Sequence, residues 1–414
     1  MHAASTSMHI PRPDPPRAPL RVLYYSPDSF GVGHLRRTLT LASEFVAREE
    51  DATALVVSGS ACMSLFRLPE RVSAVKLPTI TKNTAGAYVS GNQQLALEEV
   101  SQLRSDLILQ AYRSFRPDAV VVDHHPLGLC GEVAPLLEQA EQDGARRILG
   151  LRDIIDAPAA VAEEWSGAAI REALARRYHR VCVYGAPEFF DTRTEYPVPS
   201  ELAERVEFTG YVVNEPAANL ARPRNSRERQ VLVTTGGGRD GVERVELYLD
   251  AIERGADWSS VVVLGPLMDR GDADRLRRRT AALRNVRVHD EHPDLPLLLS
   301  DCDAVVAMAG YNTCTEIVRH RMPSVLLPRV FPREEQKIRA ERLAGLGLAT
   351  ALLEPDADDL REAVAASLTS SRDWQRAPRL DGSARACDIL MDELDAGRRT
   401  RAAAHDRARA REVS

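Results

Sequence analysis

Short runs of β-branched residues, each followed by a polar or glycine-rich loop and then a helical period, recur along nearly the whole chain. No other feature narrows its fold as much. Runs such as AVVVD at 119–123 and SVVVLG at 260–265 are apolar at consecutive positions. That suits strands covered on both faces, as in parallel sheets. The predicted strands are Arg21–Ser26, Ala54–Ser58, Val72–Leu77, Ala119–Asp123, Arg147–Leu151, Arg180–Tyr184 and Arg205–Thr209, then Gln230–Thr235, Ser260–Gly265, Val286–His289, Ala304–Ala309, Ser324–Pro328 and Ala349–Leu353. Between them Leu35, Leu39, Ala42 and Val46 share one helical face, as do Val242, Val245 and Leu249. Alternation of this kind implies right-handed βαβ crossovers and an α/β architecture.

A chain of 414 residues is long for one domain on a prior of roughly 150 residues each. The series breaks at 214–229, where NEPAANLARPRNSRER carries two prolines and little apolar pattern, and then restarts. The expected division is a flexible leader at 1–19, a domain at 20–213, a linker at 214–229, a second domain at 230–392 and a tail at 393–414. The Arg/Ala-rich tail reads as a frayed or disordered helix.

The net charge of −6 argues against a nucleic-acid partner, whose footprint is usually basic. The first twenty residues hold five prolines and no apolar run, so no secretory core is expected there. No stretch approaches the ~20 apolar residues of a membrane span, although peripheral membrane contact stays open. Cysteines at 62, 130, 182, 302, 314 and 387 form no CxxC pair, which reads as reduced thiols in a cytoplasmic protein.

Active sites of open parallel sheets lie at the carboxyl ends of strands, so the loops after strands carry the functional signal. The first is Gly31-Val32-Gly33-His34, opening a helix. Its glycines permit close backbone approach to a ligand, and His34 titrates near neutrality, as a general base should. The competing reading is a surface histidine at a helix start. The second is Gly236-Gly237-Gly238-Arg239-Asp240-Gly241, a cradle for phosphate made of backbone N–H groups. It satisfies GxGxxG, but the next strand ends without a ribose-binding acid, and no Walker lysine follows.

The third is Met308-Ala309-Gly310-Tyr311-Asn312-Thr313-Cys314-Thr315-Glu316, with a helix beginning near Asn312 or Thr313. Thr313 and Glu316 have the spacing of a capping box; equally, a carboxylate there can accept two hydrogen bonds from a ribose diol. The fourth runs from Pro328 through Arg333 into Glu334-Glu335-Gln336, where acids are dipole partners or contacts to sugar hydroxyls. On the other half, Asp123-His124-His125 and Arg152-Asp153 end strands. Asp123 beside a histidine is an alternative base, since a carboxylate raises imidazole basicity.

The first, third and fourth segments, in this order, resemble the glycosyltransferase superfamily that includes the peptidoglycan lipid II-forming N-acetylglucosaminyltransferase, and are most similar to a bacterial group of predicted glycosyltransferases related to it. The likeness is sharp in AGYNTCTEIVRHRMPSVLLPR and PREEQKIRAERLAGLGLA and looser at GVGH. It implies the GT-B fold, two facing Rossmann-like domains, with the donor in the C-terminal one and the acceptor in the N-terminal one. By position, Glu316 would bind the donor ribose, and Glu335 and Gln336 the sugar hydroxyls. Gly310, Asn312 and Thr313 would face the diphosphate, with Gly236, Gly237 and Gly238 against the donor or the cleft. His289–Glu291 would lie where relatives hold the base, and His34 matches the histidine proposed as base or phosphate partner. Gly33, His124, Arg152 and Asp153 would line the acceptor side.

The activity implied is attack of an acceptor hydroxyl on the anomeric carbon of a nucleoside-diphosphate sugar, inverting, with His34 or Asp123 taking the proton and N–H groups meeting the diphosphate. It needs no cofactor and no metal. Asp301-Cys302-Asp303 looks like a metal-binding DxD but precedes its strand, so it reads as a turn. A nucleotide-sugar hydrolase, a 2-epimerase and a non-catalytic nucleotide-sugar sensor remain as alternatives.

Overall fold

The computed structural model describes residues 19–27, 33–83, 87–213, 229–292 and 295–412. Gly31 and Val32 of the first glycine loop, and all but the last residue of the expected linker, lie outside them.

Two α/β domains with parallel sheets form, as the alternation predicts. The first contains β1 (Arg21–Ser26), β2 (Thr53–Ser58), β3 (Val72–Lys76), β4 (Ile80–Lys82), β5 (Tyr88–Ser90), β6 (Ala119–Asp123), β7 (Arg146–Arg152), β8 (Arg180–Tyr184) and β9 (Val206–Phe208). Its seven-stranded sheet runs β3-β2-β1-β6-β7-β8-β9 and is parallel throughout. The second contains β10 (Gln230–Thr234), β11 (Ser259–Val263), β12 (Val286–His289), β13 (Ala304–Ala307), β14 (Ser324–Leu326) and β15 (Thr350–Ala351). Its six strands run β12-β11-β10-β13-β14-β15, again parallel. Every predicted strand is present, with some ends shortened. The antiparallel pair β4–β5 was not predicted, because three-residue strands are too short to show a period.

Alternate side chains of the second sheet enter different cores. Leu232, Val261, Val263, Val305 and Ala307 join the core that extends through the first domain. Val231, Val233, Val262, Ala304 and Val306 join a separate one under helices Val242–Glu253 and Ala357–Ser367. Both faces are therefore buried, which is why the runs are apolar at every position.

The expected boundary between a domain at 230–392 and a tail at 393–414 does not match the chain path. One helix, Gly382–Glu412, crosses it and packs on helix Gly33–Arg48 and on β7 and β8. Ile389, Leu390 and Leu394 are buried. Arg146 Nε donates to Glu393 at 2.7 Å, and Arg401 Nη2 to Asp118 at 2.7 Å. Composition alone suggested fraying; the apolar stripe inside the arginines supplies the tertiary packing that holds the helix. Asp303 Oδ2 accepts the Gln230 N–H at 2.7 Å, so the Asp301–Asp303 triplet is a turn leading into β13. No helix among the described residues is long and apolar enough to cross a membrane.

Candidate active site

Each sheet reverses its strand order once, between β1 and β6 in the first domain and between β10 and β13 in the second. Such switch points open a crevice at the strands' carboxyl ends, because the connections on either side leave in opposite directions. All but one of the segments singled out from the sequence border these two crevices or neighbouring strands.

In the first domain, helix Gly33–Arg48 follows β1 and brings His34 to Asp123 at the end of β6. His34 Nδ1 lies 2.6 Å from Asp123 Oδ2. In the Nδ1–H tautomer the ring donates to the carboxylate and Nε2 is an acceptor. Asp123 is 3% exposed, and the imidazole beside it is the more open of the two. The other partner of Asp123, missed in the sequence, is Arg37, one turn beyond His34. Arg37 is 1% exposed, and its Nη2 donates to both Asp123 oxygens at 2.7 Å. Arg37 also lies 5.2 Å from the Tyr184 ring centre and 5.3 Å from that of Tyr311. The available signal was its i,i+3 spacing from His34.

Burial lowers the His34 pKa well below the ordinary imidazole value, with the charges of Arg152 and Arg37 acting the same way. A neutral imidazole at physiological pH follows, as a base requires. Arg152 Nη2 lies 3.1 Å from His34 Nε2. His124 is held at φ +69°, with its ring 4.8 Å from that of His34; burial lowers its pKa too. His125 pairs with Glu164 at 3.4 Å. Asp153, expected on the acceptor side, is the most enclosed of these residues. It is fully buried, accepts from the Tyr211 hydroxyl and from Ile154 N, and does not reach the crevice. Sequence shows a strand-end acid; only packing shows that the next turn of chain folds over it.

In the second domain, helix Tyr311–Arg319 begins at Gly310 without any side-chain cap. The Thr313–Glu316 capping box therefore does not form. The helix starts three residues earlier than the box requires, and Glu316 turns inward. Glu316 is 3% exposed, its Oε2 has no hydrogen-bond partner, and His320 Nε2 is 3.6 Å away. An unsatisfied buried carboxylate oxygen is costly unless a ligand donates to it. The glycine loop after β10 faces this turn. A Cβ on Gly236 would lie 3.8 Å from Thr313 Oγ1, and one on Gly310 3.9 Å from the same atom. Gly236 and Gly238 have φ of +66° and +93°, and a Cβ on Gly238 would meet Leu264 O at 2.5 Å. Gly237 O accepts from Leu267 N at 2.8 Å, tying the loop to the segment that follows β11. His289, Asp290 and Glu291 are exposed at the edge strand β12.

Glu335 is buried, with Oε1 held by Arg329 at 2.5 Å and Oε2 without a hydrogen-bond partner. Gln336 Oε1 accepts from Arg329 N at 3.1 Å. Arg329 also reaches Asp240 at 2.6 Å, joining the second and fourth segments.

The two crevices face each other in contact. Asn312 Nδ2 donates to Gly33 O at 3.2 Å, and Tyr311 donates to Tyr184 O at 2.9 Å while accepting from Val212 N at 3.0 Å. Asp156 accepts from Glu334 N at 2.8 Å, and Arg239 Nη1 lies 3.4 Å from Thr81 Oγ1 on β4. His34 and the uncapped start of helix Tyr311–Arg319 thus border one cleft. Among the described residues no group of three or more His, Cys, Asp or Glu is arranged to hold a metal ion.

Two facing Rossmann-like domains with a cleft lined from both switch points make up the GT-B fold. The chain shares that fold with solved glycosyltransferases. It aligns with the glycotransferase of kitacinnamycin at a TM-score of 0.62 and 19% identity, over 92% of this chain and 100% of that one. With Acinetobacter baumannii MurG the TM-score is 0.58 at 14% identity, over 90% and 100% of the two chains. In sequence it is 24% identical over 340 residues to the UDP-N-acetylglucosamine--N-acetylmuramyl-(pentapeptide) pyrophosphoryl-undecaprenol N-acetylglucosamine transferase of Leuconostoc citreum, covering 78% of this chain and 83% of the relative. No family model matches the chain.

Proposed function

We propose that this protein is a glycosyltransferase that moves a sugar, a hexose or close derivative, from a nucleoside-diphosphate sugar to an acceptor hydroxyl with inversion. The observation that carries the reading is the pairing across one cleft of a neutral imidazole, backed by a buried carboxylate, with a buried Glu316 oxygen that has no hydrogen-bond partner. The acceptor hydroxyl loses its proton to His34 Nε2 as its oxygen bonds to the anomeric carbon. The bond from that carbon to the diphosphate breaks, and its electron pair leaves with the diphosphate. Asp123 fixes the tautomer and stabilises the imidazolium; Arg37 fixes Asp123. Glu316 takes the ribose diol, Glu335 and Gln336 the sugar, and the uncapped N–H groups after Gly310 the diphosphate. The DxD-like triplet precedes β13, at the end of the strand away from the cleft, with Asp303 accepting from the Gln230 backbone. The acceptor is a lipid, metabolite or polymer hydroxyl, and the protein works in the cytoplasm.

The test is a panel of nucleotide sugars scored by thermal stabilisation. A bound donor adds about 2.7 kcal/mol at a hundredfold excess over Kd. Glu316→Ala is expected to abolish the response. If the variant responds like the wild type, the ribose assignment fails. Release of nucleoside diphosphate only when a candidate acceptor is added marks a transferase, and release without one marks a hydrolase.

A further inference from the structure

Arg152 is a cation lacking an anion. It ends β7, its Nη2 reaches His34 Nε2 at 3.1 Å, and its Nε is buried without a hydrogen-bond partner. Among the described residues no carboxylate lies within ion-pair distance of it. The nearest acids are already engaged, Asp123 by Arg37 and Glu335 by Arg329. Burial, with Arg37 and Arg339 nearby, lowers the Arg152 pKa to about 10. A half-buried guanidinium in that setting is held at a cost that only an incoming anion relieves.

Position indicates which anion. A Cβ on Gly33 would sit 3.4 Å from Arg152 Nη2 and 3.5 Å from Asn312 Nδ2. The guanidinium of one domain and the first turn of the other domain's helix therefore flank a single glycine. That helix start has no side-chain cap, and one turn further in Glu316 Oε2 is buried without a hydrogen-bond partner. Both halves of the cleft thus carry groups left for the same ligand.

We propose that Arg152 grips the donor's diphosphate from the opposite domain, and that it leaves His34 Nε2 to do so. The inference rests on the reading of a nucleoside-diphosphate sugar at the Gly310 turn. In the free protein Arg152 covers the lone pair that must accept the acceptor's proton. When the diphosphate is seated, the guanidinium forks onto its oxygens, Nε2 is uncovered, and the negative charge left by the breaking sugar–phosphate bond develops against a fixed cation. The base is thereby released from Arg152 only when a donor is present.

Two measurements test this. In calorimetric titrations with UDP and UMP, and with the GDP/GMP and dTDP/dTMP pairs, the wild type should prefer its diphosphate at least tenfold. Arg152→Met should bind both members of that pair alike, with monophosphate affinity unchanged. In nucleotide-free protein at fixed pH, diethyl pyrocarbonate should modify His34 several-fold faster in Arg152→Met than in the wild type, read by mass spectrometry. If Arg152→Met does not fold, Arg152→Lys should shrink the diphosphate preference at least threefold. An unchanged preference in whichever variant folds overturns the role of Arg152 and leaves the donor reading intact. A wild type that binds no nucleotide overturns both.

Discussion

Replacing Asp123 by Asn keeps the shape of the side chain and removes the charge from the centre of the proposed machinery. One of the two carboxylate oxygens becomes an NH2 group, which must then face either Arg37 Nη2 or His34 Nδ1–H, both of them donors. Arg37 cannot escape to water: it is 1% exposed, and its Nη1 is already buried without a partner. Removing one member of a buried ion pair costs about 3–5 kcal/mol. Tyr184 and Tyr311 continue to flank the guanidinium, and such contacts are worth about 0.5–2 kcal/mol, so the low end, about 3 kcal/mol, is expected. For a domain of roughly 200 residues, 1 kcal/mol moves Tm by about 2–4 °C, which makes the shift about 6–12 °C. Calorimetry of Asp123→Asn, Arg37→Met and the double variant measures it. The double variant should be less destabilised than the sum of the singles, because replacing both charges leaves no ion unpaired. It should nonetheless lack transferase activity. A loss below about 1 kcal/mol for Asp123→Asn, or additive singles, would mean that the pair is solvated and that Arg37 does not hold the carboxylate.

Three further outcomes follow from the geometry of the cleft. His34→Ala should keep donor binding and lose about 10²–10⁴-fold in kcat, and unchanged turnover removes it from the mechanism. In the wild type, protonation of His34 abolishes the base. Burial, Arg152, Arg37, His125 and Arg333 all depress its pKa, while Asp123 faces it with a charge already bonded to Arg37. The acid limb of kcat/KM should therefore lie below pH 6.5, with a plateau above; a limb above 6.5 contradicts the assignment. Gly238→Ala, at φ +93° with Leu264 O 2.5 Å from the new carbon, should cost about 1–3 kcal/mol. Gly310→Ala meets nothing closer than 3.9 Å and should change stability by no more than about 0.5 kcal/mol while weakening donor binding. Equal denaturant midpoints for the two variants would refute this contrast.

Local chemistry was enough to locate the strands and the loops that border the cleft. Strand identity is written in consecutive β-branched residues, and sites of parallel sheets fall at strand ends, so His34, Asp123, Gly236 and Gly310 could be singled out one residue at a time. What each group does once placed depends on neighbours far away in the chain. Thr313 and Glu316 have the spacing of a cap, yet the helix starts at Tyr311 and Glu316 turns inward. Asp123 and Asp153 look alike as strand-end acids, yet one meets His34 and Arg37 while the other is sealed beneath Tyr211. Arg37 reads as an ordinary helix arginine until β6 supplies its carboxylate from 86 residues away. Helix Gly382–Glu412 reads as a charged tail until the first sheet gives its apolar stripe a surface to cover. Propensity and period act over a few residues and can be read in order; burial, ion pairing and the absence of a partner depend on the packing of both domains, and only the folded chain decides them.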